Sequence, residues 1–589
     1  MKRFWLLLLV LPLQGGCFLF DNERSTTTRS QIEEPEPEPG TSRTIRNVAM
    51  FDAMEPVHVH GVGLVTNLQG TGSPTPPGDL RTELEERMKK ERVANIAELL
   101  ESDDTAVVFV SGTIKPGTRK NDLIDVEVTL PPNSKVKSLR GGILQRTPLQ
   151  TFSSTASVRE FLKNNEYSPQ SVGNRVLRGH ESVVAQGRLQ PHLQESISEI
   201  TADEPWKNAY VWQGGQALHS RSLFLSLNTD SQRYVVAETI AVRINKRFLG
   251  TEGPDKLAEA RQKEVVGVAV PPAYRLNHPR YMRVVAHLPL DQPEGDPEYV
   301  KMLTTRLSNP ATAASAAIAL EAIGKTAIPI LRAELKSQYP FVRFYAAEAL
   351  AYMGESIGVD EIMEGIEQHP VLEAYGLSAL AALDDAASID RLEKLLSNPK
   401  PTVRQGAFRA LVEIAPQHPV VHARPIGRAF YLHHVPVEGT SMIHVQRHAR
   451  PEIVIYGEIP KILPPFSATV GPNLTITCRP GDTVATISRY TTDGADPTHV
   501  QSTLEVSDVI QQAAQMGITY QEAVELLVKL QNRKAISTTV VFDAIPRLVP
   551  IQKLEEAAAL DPWLRNEMDL LTDDSPTSSP KKPESWQEQ

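Results

Sequence analysis

Two groups of histidines have a spacing that could hold a metal ion. His58 and His60 alternate in an apolar stretch, so both rings face one side of a predicted strand. The second, looser group consists of His433, His434, His444 and His448. Zinc sites use closely spaced Cys, His and carboxylate ligands, and neither H-E-x-x-H nor C-x-x-C occurs in the chain. We therefore predict exposed or core histidines and no metal site.

A glycine-rich segment could be mistaken for a phosphate-binding loop. Its glycines are Gly61, Gly63, Gly70 and Gly72. The dinucleotide spacing G-x-G-x-x-G is absent, because Thr66 occupies the third position, and no G-x-x-x-x-G-K-[ST] occurs. We predict that these glycines serve strand-end turns that require positive φ, and that the protein binds no cofactor.

Residues for covalent or acid–base catalysis do not form a recognisable set. No G-x-S-x-G nucleophile motif is present. The carboxylates are scattered, and Asp122 and Asp125 fall at the edge of a predicted strand rather than in a glycosidase pair. We predict a protein that is not an enzyme and has no catalytic residues.

The two cysteines, Cys17 and Cys478, suggest different roles. Lys2 and Arg3 precede an apolar run that is too short to span a bilayer. This pattern is typical of a secretory signal peptide, which we place at residues 1–17. Small residues before Cys17 resemble a lipoprotein signal, although Gln14 departs from its usual pattern. We expect export with lipidation of Cys17; ordinary cleavage nearby is the alternative. No later segment is apolar for about 18 residues, so membrane contact would come only through the lipid.

Composition and charge limit the remaining function classes. The 589 residues carry a net charge of −10, so no global basic field favours nucleic acid. Residues 18–45 alternate Glu with Pro and predict an extended tether. The rest predicts an α+β protein with several domains.

Residues 46–300 predict a mixed α/β region. Helical spacing of apolar residues predicts helices over 78–100 and 231–248. Alternating or β-branched runs predict strands at Val57–Val65, Ala106–Ser111, Leu123–Leu130, Val183–Gln186 and Leu223–Leu227.

Residues 301–415 contain an internal helical repeat. Each unit begins with a proline followed by small and apolar residues, and the units are about 30 residues apart, at Pro310, Pro340, Pro370 and Pro401. Second helices fit 327–335, 358–366 and 388–396. The units resemble short HEAT-type repeats, whose pairs of helices must stack to bury their apolar faces. We expect Arg343 and Arg404, at equivalent positions, to bond neighbouring repeats.

Residues 416–550 predict β structure followed by a helix pair. Strands are expected at 453–456, 474–478, 484–487 and 538–542, with Cys478 an unpaired structural thiol. The helices are expected at 506–516 and 519–530, with Gly517 ending the first. We expect residues 551–589 to be a mostly disordered tail, since Ser, Pro, Lys and Glu dominate its end.

Several motifs in this order resemble the flagellar basal-body P-ring family. The segment 61–72, GVGLVTNLQGTG, is similar to that family's "GYGLVVGLNGTGD", and 138–149, SLRGGILQRTPL, to its "SLrGGtLlmTPL". Residues 117–128 and 223–250, including Asn245, Phe248 and Gly250, also follow family motifs, as does the helix pair from Val506. The repeat block is not part of the ordinary family.

The resemblance implies a homo-oligomeric ring in the periplasm, at the peptidoglycan layer, around the flagellar rod. Its partners would be the rod and the outer-membrane ring, with peptidoglycan as a further contact. Lys135, Lys137 and Arg140 are candidates for a rod-facing loop, and a solvated loop is the alternative. The repeats would add a concave protein-binding face. A lipid-anchored scaffold that reuses these domains outside the flagellum is the other hypothesis.

Overall fold

The computed structural model describes residues 42–51, 56–152, 178–190, 206–249, 256–292, 296–426, 430–447, 451–471, 473–490, 496–564 and 571. All of them belong to one contact unit, Pro39–Gln589. Helices and strands are both abundant, and the α+β prediction is confirmed. The predicted signal peptide with Cys17, most of the tether and the end of the tail lie outside the described residues.

A closed barrel follows the short first strand, β1 (Ala49–Phe51). The barrel order is β2-β3-β4-β7-β6-β5, and β5 pairs back with β2. Aliphatic side chains such as Val59, Val108 and Leu149 fill its interior. The barrel strands are β2 (Val57–Thr66), β3 (Ala106–Ile114), β4 (Leu123–Thr129), β5 (Ile143–Phe152), β6 (Arg178–Arg188) and β7 (Asn208–Ala217).

Two helices, and not the single predicted one, connect β2 to β3. They are α1 (Asp79–Lys90) and α2 (Ile96–Glu101). Arg92 and Asn95, between them, have φ values of 56° and 54°, a left-handed conformation that ends a helix. Val93, in the turn between the two helices, is 36% exposed.

A four-stranded antiparallel sheet follows the barrel. Its order is β1-β8-β10-β9, with β8 (Leu223–Leu227), β9 (Ala258–Ala260) and β10 (Val265–Val268). The helix expected over 231–248 is present as α3 (Tyr234–Leu249), which packs on the sheet through Ala237, Ile240, Ala241 and Ile244. Val235 and Val242 lie on its outward side and are 76% and 53% exposed.

Paired helices make up the next region. The expected boundary at 300/301 falls inside a helix that starts at Pro297, where the Asp296 side chain accepts a bond from the Glu298 N–H. The predicted first and second helices are confirmed. The helices are α4 (His278–Ala286), α5 (Pro297–Leu307), α6 (Ala313–Ile323), α7 (Ile328–Glu334), α8 (Pro340–Tyr352), α9 (Val359–Gln368), α10 (Glu373–Leu383), α11 (Ala386–Leu395) and α12 (Pro401–Ile414).

The first helices of the repeats are covered on all sides. Nearly every residue of α6, α8 and α10 is buried. A helix that is apolar all round must be surrounded by protein, because no face of it suits water. One apolar core accordingly runs from the sheet beside the barrel, through the repeats, into the C-terminal region. The repeats are therefore the centre of the molecule and not an appended module.

The C-terminal region has two sheets and the predicted helix pair. One sheet has the order β11-β12-β14-β13-β19 and is covered on both faces, by α12 and by a separate core. The elements are β11 (Ala423–Ile426), β12 (Phe430–Val435), β13 (Met442–Gln446), β14 (Glu452–Tyr456), β15 (Phe466–Val470), β16 (Leu474–Cys478), β17 (Val484–Arg489), β18 (Thr498–Thr503), α13 (Val506–Gln515), α14 (Tyr520–Asn532) and β19 (Thr539–Phe542).

The expected tail begins as ordered structure. Residues Ile551–Leu560 form a helix, α15, whose Ile551, Leu554 and Ala558 are buried against the repeats. The prediction of a mostly disordered tail was wrong for these residues, because the Ser, Pro, Lys and Glu on which it rested are concentrated near the end of the chain.

Candidate interaction surfaces

The glycine motif packs the barrel. A Cβ on Gly61 would lie 2.4 Å from the carbonyl oxygen of Pro148, and one on Gly72 would lie 2.3 Å from that of Thr105. A Cβ on Gly63 would meet three side chains at 2.9 Å. Among these glycines only Gly70 has positive φ, +80°. The turn prediction therefore holds for Gly70, whereas the other three allow close approach of neighbouring chain segments.

Arg140 connects the barrel to the C-terminal helix pair. Its Nη2 atom lies 2.9 Å from Oε1 of Glu522, and its guanidinium lies 5.9 Å from the centre of the Trp206 ring. The other oxygen of Glu522 accepts from the N–H and hydroxyl of Thr519, which fixes the start of α14. Lys135 and Lys137, in the same loop, are exposed. The predicted rod-facing loop thus divides into two solvated lysines and one arginine held in an ion pair.

A buried cluster of charges joins α4 to the repeats. Arg280 donates from Nε and Nη2 to Glu321 Oε2 at 3.0 and 2.6 Å, and its Nη1 lies 2.6 Å from Glu348 Oε1. All three side chains are at most 2% exposed. Tyr274 donates to Glu321 at 2.6 Å, and Arg280 lies over the ring of Tyr352 at 4.5 Å.

One cation faces two carboxylates in this cluster, so its charges do not cancel when both acids are ionised. Burial raises the pKa of Glu348 to about 7, and the negative charge of Glu321 adds to this effect while Arg280 opposes it. Burial lowers the pKa of Arg280, but the two carboxylates raise it more, and its net pKa is above the ordinary value. Burial also raises the pKa of Tyr274, so its hydroxyl stays protonated and donates to Glu321.

The sequence reasoning missed this cluster, although a signal was present. Glu321 and Glu348 are single acids in helices that are otherwise almost wholly apolar. A carboxylate in such a helix requires a buried cationic partner. Arg280 itself carried no comparable signal, because its helix is amphipathic.

Arg343 and Arg404 make related contacts from equivalent positions. Arg343 donates to the carbonyl of Ser337, before its own helix, and to both oxygens of Glu364 at 3.0 Å. Arg404 donates to the carbonyl of Thr440 at 2.7 Å and lies near that of Ser397. Arg343 therefore bonds the preceding turn and the second helix of its own repeat, whereas Arg404 bonds the C-terminal sheet region.

The segment 546–564, which we call the strap, crosses the first helices of the repeats. Pro546 packs near Gly406 of α12, and the Tyr375 hydroxyl of α10 donates to the Val549 carbonyl at 2.6 Å. Glu555 accepts from both the N–H and the hydroxyl of Ser315 on α6, at 2.8 and 2.6 Å. The strap also reaches α4, where Arg283 donates to Gln552 at 3.0 Å.

Asn245 caps the edge of the sheet beside the barrel. Its Oδ1 accepts from the N–H groups of Leu257 and Ala258, and its Nδ2 donates to the Ala258 carbonyl. The side-chain amide thereby occupies the place that another strand would take beside β9. Its retention in the sequence motif has a structural explanation.

The histidines do not converge. His433 and His444 flank Val454 on neighbouring strands, but their rings have different partners. His433 contacts the Val421 carbonyl and Glu452, whereas His444 Nε2 accepts from the Ala544 N–H. His58 is exposed and bonds Thr113, and His448 lies outside the described residues. Across the described ranges no three His, Cys, Asp or Glu side chains are grouped to hold a metal. Cys478 is buried at the end of β16, and burial raises the pKa of its thiol.

None of the described helices is long and apolar enough to cross a membrane.

Residues 44–157 match the family described as "Flagellar P-ring protein". The chain is 28% identical over 234 residues to the flagellar P-ring protein of Rhodospirillum rubrum, covering 40% of this chain and 55% of that protein. It is 34% identical over 106 residues to that of Thermotoga maritima, covering 18% and 30%.

This chain therefore spans about half the length of the Rhodospirillum relative and less than a third of the Thermotoga one. The matched segment contains β1, the first barrel strands and the glycine motif. The resemblance to the flagellar P-ring family, drawn from the motifs, is confirmed.

Proposed function

We propose that this chain, whose residues 44–157 match the flagellar P-ring family, is a structural subunit of a P-ring-like ring around the flagellar rod. The observation that carries the proposal is the match itself, which falls on the barrel and its packing glycines. The ring would be homo-oligomeric, would lie in the periplasm as part of the basal body, and would contact the rod, the outer-membrane ring and peptidoglycan.

The construction of the chain suits a passive bearing. A bearing subunit has to resist deformation. Here one core joins the sheet beside the barrel, the repeats and the C-terminal region, and the ion pair of Arg140 with Glu522 joins the barrel to the C-terminal helix pair. The surface that faces a turning rod should hold no fixed grip. Lys135 and Lys137 are solvated, and single exposed charges contribute little to binding and exchange readily with water. We propose them as rod-facing residues, with Arg140 positioning their loop.

We assign no reaction to the protein. The buried group of ionisable side chains around Arg280 is closed to solvent and joins α4 to the repeats. We further propose that Arg343 and Arg404 stabilise the repeats.

We also propose that Cys17 anchors the exported chain through a lipid. If acyl label and membrane association persist in the Cys17→Ser variant, the proposal of a lipid anchor is wrong.

Electron cryotomography of basal bodies, with and without this gene, tests the ring. We expect loss of the density at the peptidoglycan layer and impaired motility in the deletion strain, with both restored by a complementing copy. An unchanged ring with normal motility would reject the proposal.

The rod-facing loop has its own test in the complemented strain. We expect the charge reversals Lys135→Glu and Lys137→Glu together to reduce swimming speed while the ring density remains. Lys120→Glu, on an exposed barrel loop, is the matched control. Equal swimming of both variants would exclude a rod contact at this loop.

A lipid-anchored envelope scaffold that reuses the P-ring domains outside the flagellum is the second candidate. The observation that favours it is the incomplete coverage of the relatives, together with a repeat region at the centre of the fold. An unchanged ring in the deletion strain, combined with membrane association that depends on Cys17, would favour this function.

A further inference from the structure

The helix of the strap, α15, packs one apolar face against the repeats. Ile551, Leu554 and Ala558 recur at helical spacing and are buried against the repeats, while Leu560 on the outward side is 90% exposed. Apolar residues on one face are the usual anchors of a helix in a groove.

Polar groups of the repeats fix the register of this helix. The Tyr375 hydroxyl binds the Val549 carbonyl just before the helix, and Ser315 binds the Glu555 carboxylate from its backbone and its hydroxyl. Arg283 binds the Gln552 side chain. We call the surface formed by α4, α6 and α10 around these three residues the strap groove. The resident helix presents the aliphatic residues Ile551 and Leu554 to this surface, and Glu555 follows directly.

The connection to the strap allows separation. Residues 543–545 connect the last strand of the C-terminal sheet to the strap and contain neither helix nor strand. At about 3.4 Å per residue they span at most about 10 Å. Asp543 and Ala544 are bonded to Arg447 and His444 of that sheet, so the strap can leave its groove by turning about Ile545 while the sheet stays folded.

We propose that the strap groove is a helix-binding site, and that the strap of a second copy of this chain can replace the resident one. The second copy is the occupant that the structure supports best, because its strap carries the same anchors in the same register. The inference does not rest on the flagellar role, since the experiments below use only the purified full chain.

The first experiment empties the groove and offers the strap as a peptide. Leu554→Asp places a charge where the strap is buried, so the strap should detach rather than bury it. We expect a fluorescent peptide of residues 546–564 to bind the Leu554→Asp chain at least tenfold more tightly than the unchanged chain, whose own strap competes. Leu560→Asp, on the exposed side of the same helix, is the matched control and should behave as the unchanged chain does.

The second experiment tests exchange between copies. Ser315→Asp repels Glu555 and blocks the groove while leaving the strap intact. Mixing this variant with the Leu554→Asp chain should produce a two-copy complex in light scattering that is absent when each variant is measured alone. Peptide binding without such a complex would confine the strap to its own chain and overturn the exchange.

Lack of peptide binding to a folded Leu554→Asp chain would overturn the helix-binding site itself. If that variant loses its helical circular dichroism, hydrogen exchange of the unchanged chain decides. Exchange of residues 549–564 at a lower free energy than α6 and α10 supports a separable strap, and exchange together with them rejects it.

Discussion

Replacing Glu348 by Gln should stabilise the protein at a pH above the ordinary glutamate pKa of 4.5, and should have little effect at that pH. Glu348 is 1% exposed and shares Arg280 with Glu321. Burial raises its pKa from 4.5 to about 7. At about 1.36 kcal/mol per pKa unit, holding this acid ionised in the folded protein costs about 3 kcal/mol. A glutamine keeps the shape and the acceptor oxygen but never carries the charge.

The sign follows from proton binding. Between pH 4.5 and 7 the folded state holds a proton on Glu348 that the unfolded chain has released, so the free energy of unfolding falls as the pH rises. The Glu348→Gln variant lacks this contribution. We therefore expect the two proteins to be about equally stable at pH 4.5, and the variant to be up to about 3 kcal/mol more stable at pH 8.

Urea unfolding, monitored through the hydrogen exchange of α8, measures this difference in the free energy of unfolding at pH 4.5, 6, 7 and 8. Taking the difference between the two proteins cancels every other titrating group. Glu364→Gln is the matched control, because Glu364 forms a half-exposed ion pair with Arg343 in the same repeat and should shift stability by at most about 1 kcal/mol. A Glu348→Gln difference that does not change between pH 4.5 and 8, or a variant that is less stable at pH 8, would refute the reasoning.

Three further changes test other parts of the structure. Gly61→Ala forces a Cβ against the Pro148 carbonyl and should destabilise the barrel by about 1–3 kcal/mol in thermal unfolding; an unchanged melting temperature would contradict this. A double-mutant cycle of Arg140→Gln and Glu522→Gln should give a coupling of about 1 kcal/mol, and additive effects would show that the bridge contributes nothing. Burial lowers the pKa of His444 from 6.5 to about 4, so stability should fall by about 3 kcal/mol as the pH drops through that range; His444→Gln should remove this loss, and a persisting loss would assign it elsewhere.

Local signals in the sequence predicted the repeats and the C-terminal helices well. Proline at the first turn and small residues at fixed offsets marked each first helix, and a Thr–Glu capping box marks the start of α14. The barrel was not predicted, because β5 and β7 pair with strands that are distant in sequence, and neither has a strict apolar alternation. Tertiary packing also decided which face of α3 is buried.

The binding surfaces were harder to predict than the elements that carry them. Sequence spacing placed Lys135, Lys137 and Arg140 in one loop, but only the fold brings Arg140 to Glu522, which is far away along the chain. The repeats suggested a concave protein-binding face, and the structure shows the first helices of the repeats contacted by the strap and by α4. Which residues cover an apolar helix is a property of the whole fold.

The strap contacts α12, α10 and α6 in order, so its length has to match the distance between these helices. In open repeat proteins each unit contacts only its neighbours, and units can be gained or lost. Here one added helix pair between Tyr375 and Ser315 would separate the two anchoring points by roughly another 8–10 Å, while the length of the strap stays the same. The length of the strap therefore fits the present number of repeats, and duplication of a unit would require a longer strap at the same time.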